Sequence, residues 1–207
     1  MSEPVDPTGG WDLRYAGSAS LFGDRPNDFL VAGRGRFQPG EKALVIADGS
    51  GRHGAWLAGL GLKVDAFDVS PEADRQARAL DARLGVAVRR AVCGWQDWPA
   101  WEGYDHVVAI FIQFAAPEER ARLFARMRAA LVPGGTLHLL GYAEAQLGLR
   151  TGGPSGLAKL YSRELLEREF ADMAVEEIKE YRADLSEGTA HRGPSALIGL
   201  VARRRRG

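Results

Sequence analysis

The sequence predicts an α/β protein: a doubly wound, mostly parallel seven-stranded sheet with helices on both faces and an antiparallel last strand. Three observations carry this. Short apolar runs of strand length alternate with helical patterns along most of the chain, as strand–helix–strand units require. The first such unit, Glu41 to Pro71, reads EKALVIADGSGRHGAWLAGLGLKVDAFDVSP, with a glycine-rich turn between strand and helix. The end of the chain breaks the alternation. There, two strand-like segments are joined by a loop too short for a crossover helix, so that pair must be antiparallel.

The elements follow in order. Met1 to Gly10 is polar and turn-rich, and a mobile start is expected. Residues 11–40 carry Trp11, Tyr15, Phe22 and Phe29 among Gly, Asp and Asn, too aromatic for a linker and too irregular for a strand. They suit a collar or lid, with a short helix at Asp28 to Gly33. Ala43 to Ala47 is the first strand, Arg52 to about Gly59 a helix, and Lys63 to Val69 the second strand. Ser70-Pro71 starts the next helix, an N-cap serine followed by proline at the first helical position. Ala73, Ala77, Leu80 and Leu84 share one face of that helix, and Gly85 ends it. Val86 to Cys93 is the third strand, and Tyr104 to Phe114 holds the fourth. Pro117 opens a helix with Leu123, Phe124, Met127 and Leu131 as its buried stripe. Pro133-Gly134-Gly135 stops it, and Thr136 to Tyr142 is the fifth strand. Ser162 caps a further helix with Leu165, Leu166 and Phe170 inward. Ala174 to Asp184 also fits a helix through Val175 and Ile178, but is read as the sixth strand. Ala196 to Ala202, ALIGLVA, is the last, after a loop from Ser186 to Pro194.

Composition narrows the class. The 207 residues suit a single domain, long enough to bury about 70% of the unfolded surface. Hydrophobic residues make up 45%, enough for a full core. Lys+Arg and Asp+Glu are both 27, so no global field favours nucleic acid or a membrane surface. The one basic run, Arg203 to Arg206, reads as a solvated basic tail at 203–207. The single cysteine, Cys93, excludes an intramolecular disulfide and fits a core thiol in a reducing compartment. No secretory signal and no run of about 20 apolar residues is seen, so a cytoplasmic protein is expected. No cluster of metal-ligating residues stands out.

The glycine turn points to a nucleoside. Gly49, Gly51 and Gly54 allow a sharp turn and close approach of a ligand to the backbone. The following helix aims its first N–H groups there. Asp68, ending the second strand, can accept both hydroxyls of a ribose. Two cofactors compete. Gly49-Ser50-Gly51-Arg52-His53-Gly54 matches G-x-G-x-x-G as written, with Asp68 at a spacing close to that of a nicotinamide dinucleotide site. S-adenosylmethionine sites use the same turn and the same strand-end acid. A nicotinamide enzyme normally adds a second catalytic domain or a Tyr-x-x-x-Lys pair. Tyr142, Tyr161 and Tyr181 have no lysine four residues on.

Ala129 to Leu137, a helix running into Pro-Gly-Gly and then a strand, is similar to the turn before the fifth strand of class I S-adenosylmethionine-dependent methyltransferases. So is the antiparallel final strand. Ala47-Asp48-Gly49-Ser50-Gly51-Arg52-His53 resembles the glycine turn of bacterial methyltransferases related to the tellurite-resistance and thiopurine methyltransferases. Trp11-Asp12-Leu13-Arg14-Tyr15 and the segment Phe22 to Leu30 resemble that group's N-terminal motifs. Gln146-Leu147-Gly148, Thr151 to Pro154, and Glu187-Gly188 with His191 are similar as well. The resemblance spans nearly the whole chain and implies one methyltransferase domain, a Rossmann-like sheet in the order 3-2-1-4-5-7-6, and S-adenosylmethionine as cofactor. This sequence departs from the pattern at Val45, Ser50 and His53, and at Gly94, where an acid usually meets the adenine amine.

On this reading Asp48, Gly49, Gly51 and Arg52 cradle the methionine end of the cofactor. Asp68 and its neighbour Val69 meet the ribose, Gly94 and Trp95 the adenine, and Gln113 ends the fourth strand on the same edge. Tyr142 and Glu144 end the fifth strand. The Ser186 to Pro194 loop brings His191 toward the transferable methyl, with His191 and Glu144 as candidate bases. Tyr15 and Phe22 close the pocket from above, where an aromatic wall suits a sulfonium. The expected reaction is methyl transfer to a small-molecule acceptor, such as a thiol or soft oxyanion. A nicotinamide oxidoreductase and a non-catalytic S-adenosylmethionine-binding protein are the alternatives.

Overall fold

The computed structural model describes residues 8–18, 20–149 and 151–206. Of the segment expected to be mobile, residues 1–7 lie outside the described residues, and 8–10 form a turn. Among the described residues seven strands form one sheet: β1 (Lys42–Ile46), β2 (Lys63–Asp68), β3 (Val88–Val92), β4 (Tyr104–Ile110), β5 (Leu131–Tyr142), β6 (Ala174–Glu187) and β7 (His191–Arg203). Their order is β3-β2-β1-β4-β5-β7-β6, the predicted one. β1 to β5 pair in parallel, and β7 pairs antiparallel with β5 and β6. The segment from Ala174, which also fitted a helix, is a strand. Its exposed face is polar, and cross-strand pairing overrides local propensity.

The helices are α1 (Trp11–Ala16), α2 (Asp28–Ala32), α3 (Arg52–Gly59), α4 (Pro71–Leu84), α5 (Pro117–Ala130) and α6 (Arg163–Glu169). Ser70 caps α4 by accepting from the Ala73 N–H at 3.0 Å, and Ser162 caps α6 from Leu165 at 3.2 Å. Buried side chains separate into two layers. Leu44, Ile46 and Phe67 pack with α5 and α6 through Leu123, Phe124, Leu166 and Phe170. Val45, Val64 and Ala66 pack with α2 and α3 through Leu30 and Leu57.

Several boundaries differ from the sequence reading. β4 ends at Ile110, three residues before Gln113. β3 is shorter than Val86 to Cys93. β5 starts at Leu131 rather than Thr136, since Leu131 already pairs with Tyr104. The expected loop from Ser186 to Pro194 is a hairpin turn between Glu187 and His191. Pro194 is tolerated inside β7 because β5 pairs with β7 only from Leu197 onward, so there the strand has a partner on one side. The basic tail is also less free than expected. Arg204 donates to the carbonyls of Ala129 and Leu131, and Arg205 to those of Asp172 and Met173, satisfying chain ends that helix and strand leave unpaired.

Candidate functional site

The cleft forms where the parallel strands end. The chain leaves β1 through Ala47 at φ 50° and turns at Gly49 and Gly51, at φ 56° and 90°, into α3. At Gly49 the reason for glycine is also spatial. A Cβ there would lie 2.1 Å from the Tyr15 hydroxyl oxygen, so the collar closes directly onto the turn. Asp68 faces the same turn. Its carboxylate accepts from the Gly49 N–H at 2.9 Å and the Ser70 N–H at 3.0 Å. Burial pushes its pKa up to about 6, against the stabilising backbone donors. Gly49 and Asp68, with Asp48, Asp74 and Arg90, line a cavity of about 10 Å³.

Asp48 points the other way. It is buried, accepts from the Gly54 N–H at 3.2 Å, and pairs with Arg90 of β3 at 2.8 Å. Arg90 also holds Asp81 of α4 at 2.6 Å, so a buried Asp48–Arg90–Asp81 triad underpins the turn. Burial raises the Asp48 pKa, and the Arg90 guanidinium opposes that rise. These contacts orient the turn.

The adenine side differs from the reading in detail. Trp95 is in the core with Phe67 and Trp98, because its ring finds more apolar surface there than at the cleft. Gly94 leaves room beside Asp97, whose carboxylate oxygen lies 3.4 Å from where a Gly94 Cβ would be. Val69 is half-buried next to Asp68. Cys93 is half-buried on the β3 edge, its thiol pKa raised by burial and by Asp97.

The collar is built from the N-terminal motif. Asp12 accepts from the Ser70 hydroxyl at 2.7 Å and the Glu72 N–H at 2.8 Å, fixing α1 to the start of α4. Tyr15 is buried, and its hydroxyl pKa is raised by burial and by Asp68 and Asp48. The rest of the collar docks on the β6–β7 hairpin. Thr189 and Ala190 donate backbone N–H groups to Leu21 O at 3.0 and 2.9 Å. Gly188 sits at φ 63°, where a Cβ would come within 2.6 Å of three backbone atoms of the collar.

Beneath this contact lies the acceptor side. His191, at the start of β7, is 9% exposed, with ring centroids of Phe22 and Phe111 at 4.5 and 4.4 Å and Tyr142 at 5.7 Å. Phe111 adopts φ 58°, a strained conformation for a bulky residue, at the end of β4. Burial lowers the His191 pKa, opposed by the Glu187 carboxylate 3.3 Å from its Nδ1. The imidazole is therefore neutral at neutral pH. Tyr142 is buried with its hydroxyl unpartnered and its pKa raised by burial. Arg52 spans the cleft from α3, donating to the Phe22 carbonyl at 3.0 Å and pairing with Glu187 at 2.9 Å.

Two expected members do not join this group. Glu144 is exposed at the start of a 3-10 turn, because the chain bends away as β5 ends. Gln113 spends its side-chain amide as a brace. Its nitrogen donates to Tyr142 O and Lys159 O, each at 2.9 Å, and its oxygen accepts from Tyr142 N. Buried amides must satisfy both ends, and these bonds tie Gln113 to the strand ends.

Residues 43–135 match a family described as a methyltransferase domain. A protein-L-isoaspartate O-methyltransferase of Gloeobacter violaceus is 38% identical over 85 residues, 40% of each chain. Its counterpart in Methylorubrum populi is 32% identical over 99 residues, 47% of each chain. The chain thus spans less than half the length of these curated relatives. Among solved structures, one described as converting a disulfide bond into a thioacetal group during echinomycin biosynthesis superposes with a TM-score of 0.77, at 21% identity, over 97% of this chain and 92% of that one. TehB from Haemophilus influenzae superposes with a TM-score of 0.70, at 17% identity, over 86% and 62%. The fold is that of the class I S-adenosylmethionine-dependent methyltransferases.

The segment matched to the methyltransferase domain runs from β1 into β5, and S-adenosylmethionine is the cofactor named for solved structures of this fold, among them a methyltransferase from Methanosarcina mazei. The residues present suit that cofactor once the collar opens: Tyr15 takes the space that Gly49 leaves without a Cβ, and Asp68 presents a carboxylate at a strand end. Sequence reading missed Arg90, Asp97, Phe111, Asn27 and Glu187 as site residues. Asn27 and Glu187 had a signal, since both lie in segments of the family resemblance, Phe22 to Leu30 and Glu187-Gly188 with His191. No helix among the described residues is long and apolar enough to cross a membrane.

Proposed function

We propose that the protein transfers a methyl group from S-adenosylmethionine to a small-molecule acceptor, a thiol or soft oxyanion, in the manner of the tellurite-resistance and thiopurine methyltransferase group. One observation carries the small acceptor: the collar covers the cleft from Tyr15 over Gly49 to Phe22 over His191. A cleft roofed by its own chain admits a small molecule more readily than a side chain of a folded protein. The cofactor supplies an electrophilic methyl on a sulfonium sulfur. The protein's task is alignment and exclusion of water. Gly49 and Gly51 present backbone to the amino-acid end of the cofactor, Asp68 accepts from the ribose, and Asp97 takes the place of the acid absent at Gly94. α1 must lift for the cofactor to enter and then reclose, with Tyr15 and Phe22 as the lid. His191 receives the proton of an acceptor that arrives un-ionised, and Tyr142 offers its hydroxyl to the acceptor. Asp48 and Arg52 support the turn and the lid.

The test is formation of S-adenosylhomocysteine by the purified chain with a panel of aliphatic thiols, aromatic thiols, oxyanions and an isoaspartyl peptide. Turnover with thiols or oxyanions is expected. Turnover confined to the peptide would favour the second reading, which the sequence matches to protein-L-isoaspartate methyltransferases support. No turnover with any acceptor, despite cofactor binding, would favour a non-catalytic binding protein.

A further inference from the structure

Glu187 is the junction of the acceptor side, yet the reaction as described gives it no role. Its Oε1 accepts from Asn27 Nδ2 at 2.6 Å. Its Oε2 accepts from Arg52 Nη2 at 2.9 Å and lies 3.3 Å from His191 Nδ1. The identity of each neighbour is constrained. The Asn27 amide is oriented by its own oxygen, which accepts from the Phe29 N–H at 2.9 Å, so its nitrogen must face Glu187. Arg52 is a cation with no acceptor. Both are therefore donors toward Glu187. The Glu187 pKa is lowered: burial acts to raise it, but His191 and Arg52 outweigh that effect. An ionised carboxylate only accepts. An imidazole nitrogen facing it is stable there only if that nitrogen carries the proton.

We propose that Glu187 is a positioning residue that holds the His191 imidazole with its proton on Nδ1 and leaves Nε2 unprotonated as the site's proton acceptor. This rests on the reading of His191 as the acceptor-side base. As an un-ionised acceptor is methylated, its proton passes to Nε2 and its freed electron pair forms the new bond to the methyl carbon. The carbon–sulfur pair leaves with sulfur. The imidazolium so formed carries N–H groups on both nitrogens, and the Nδ1 side meets the Glu187 carboxylate. The same carboxylate binds the collar through Asn27, so His191 is oriented when the collar is seated. Other charged or titratable groups acting on the pair are Arg52 and His53 from α3, Arg14 from α1, Tyr142 from β5 and Tyr181 from β6.

Nitrogen-15 NMR of the histidine-labelled full chain reads the tautomer directly, without any acceptor. The chain has four histidines, and loss of one signal set in His191→Ala assigns it. In the parent at neutral pH, His191 is expected in the Nδ1–H form. Glu187→Gln keeps an acceptor oxygen and should keep that tautomer, while its protonation midpoint falls by about 1–2 pH units as the neighbouring charge is lost. Glu187→Ala should release the ring toward the Nε2–H form. A parent spectrum showing Nε2–H overturns the proposal, and does so even if Glu187→Ala fails to fold. So does an unchanged tautomer in a folded Glu187→Ala protein. The base reading fails separately, if His191→Ala turns over un-ionised acceptors at the parent rate while the tautomer result stands.

Discussion

The two halves of the cleft are built by different means. On the cofactor side, one continuous segment from the end of β1 to the end of β2 supplies the glycine turn, the start of α3 and Asp68. Its contacts are largely backbone N–H groups meeting carboxylates. On the acceptor side, Phe22, Asn27, Arg52, Phe111, Tyr142, Glu187 and His191 come from the collar, α3, the ends of β4 and β5, and the hairpin. There side chains carry the contacts. A cofactor held by backbone and one acid needs only local sequence. An acceptor pocket made of scattered side chains can change one residue at a time without disturbing the turn, so it is the half in which specificity can vary.

Substitutions on each side test this division. The largest effect is expected beneath the cofactor side. Arg90→Leu leaves Asp48 and Asp81 buried without their cation and should cost about 3–5 kcal/mol of stability, read by urea denaturation. A loss below about 1 kcal/mol would mean the triad does not hold the turn.

Asp68→Ala should weaken binding of S-adenosylhomocysteine by about 2–4 kcal/mol in calorimetry, with the fold intact, since two ribose contacts go together. An unchanged dissociation constant would take Asp68 out of the ribose site. The same residue predicts a pH dependence. Its folded pKa is raised to about 6 from an ordinary 3.8, so the folded state holds a proton that the unfolded state has lost between those values. Stability from this group is therefore greatest at low pH and falls as pH rises from about 4 to about 6. Ribose binding runs the opposite way, because the ionised carboxylate is the better acceptor. Cofactor affinity should rise with pH around 6 in the parent and stay flat in Asp68→Asn.

On the acceptor side, His191→Ala should lower turnover about 10²-fold for an un-ionised acceptor and far less for one already ionised, with cofactor affinity nearly unchanged. Equal losses for both acceptors would reduce His191 to shaping the pocket. Cys93→Ser, on the β3 edge far from β5 in the sheet order, should be the mildest change, near the parent in melting temperature and rate. A hundredfold loss without unfolding would place a thiol in the chemistry and break the picture of direct transfer.

Local patterns determined much of this protein. The apolar strand runs, the Ser70-Pro71 start of α4, the glycine turn and the strand-end Asp68 are each legible because periodicity, capping and positive φ act within a few residues. The short link before the last strand was enough to make it antiparallel. Tertiary structure decided what local pattern could not reach. Gln113 and Glu144 lie just past the ends of β4 and β5 rather than in them; one braces the strand ends and the other turns to solvent. Asp48 turns inward because Arg90, 42 residues along the chain, meets it in the fold. Glu187 reaches Asn27 and Arg52 across 160 and 135 residues. A buried charge takes the partner that folding brings within hydrogen-bond distance, and that choice is made by the packing of the sheet and collar, not by sequence spacing.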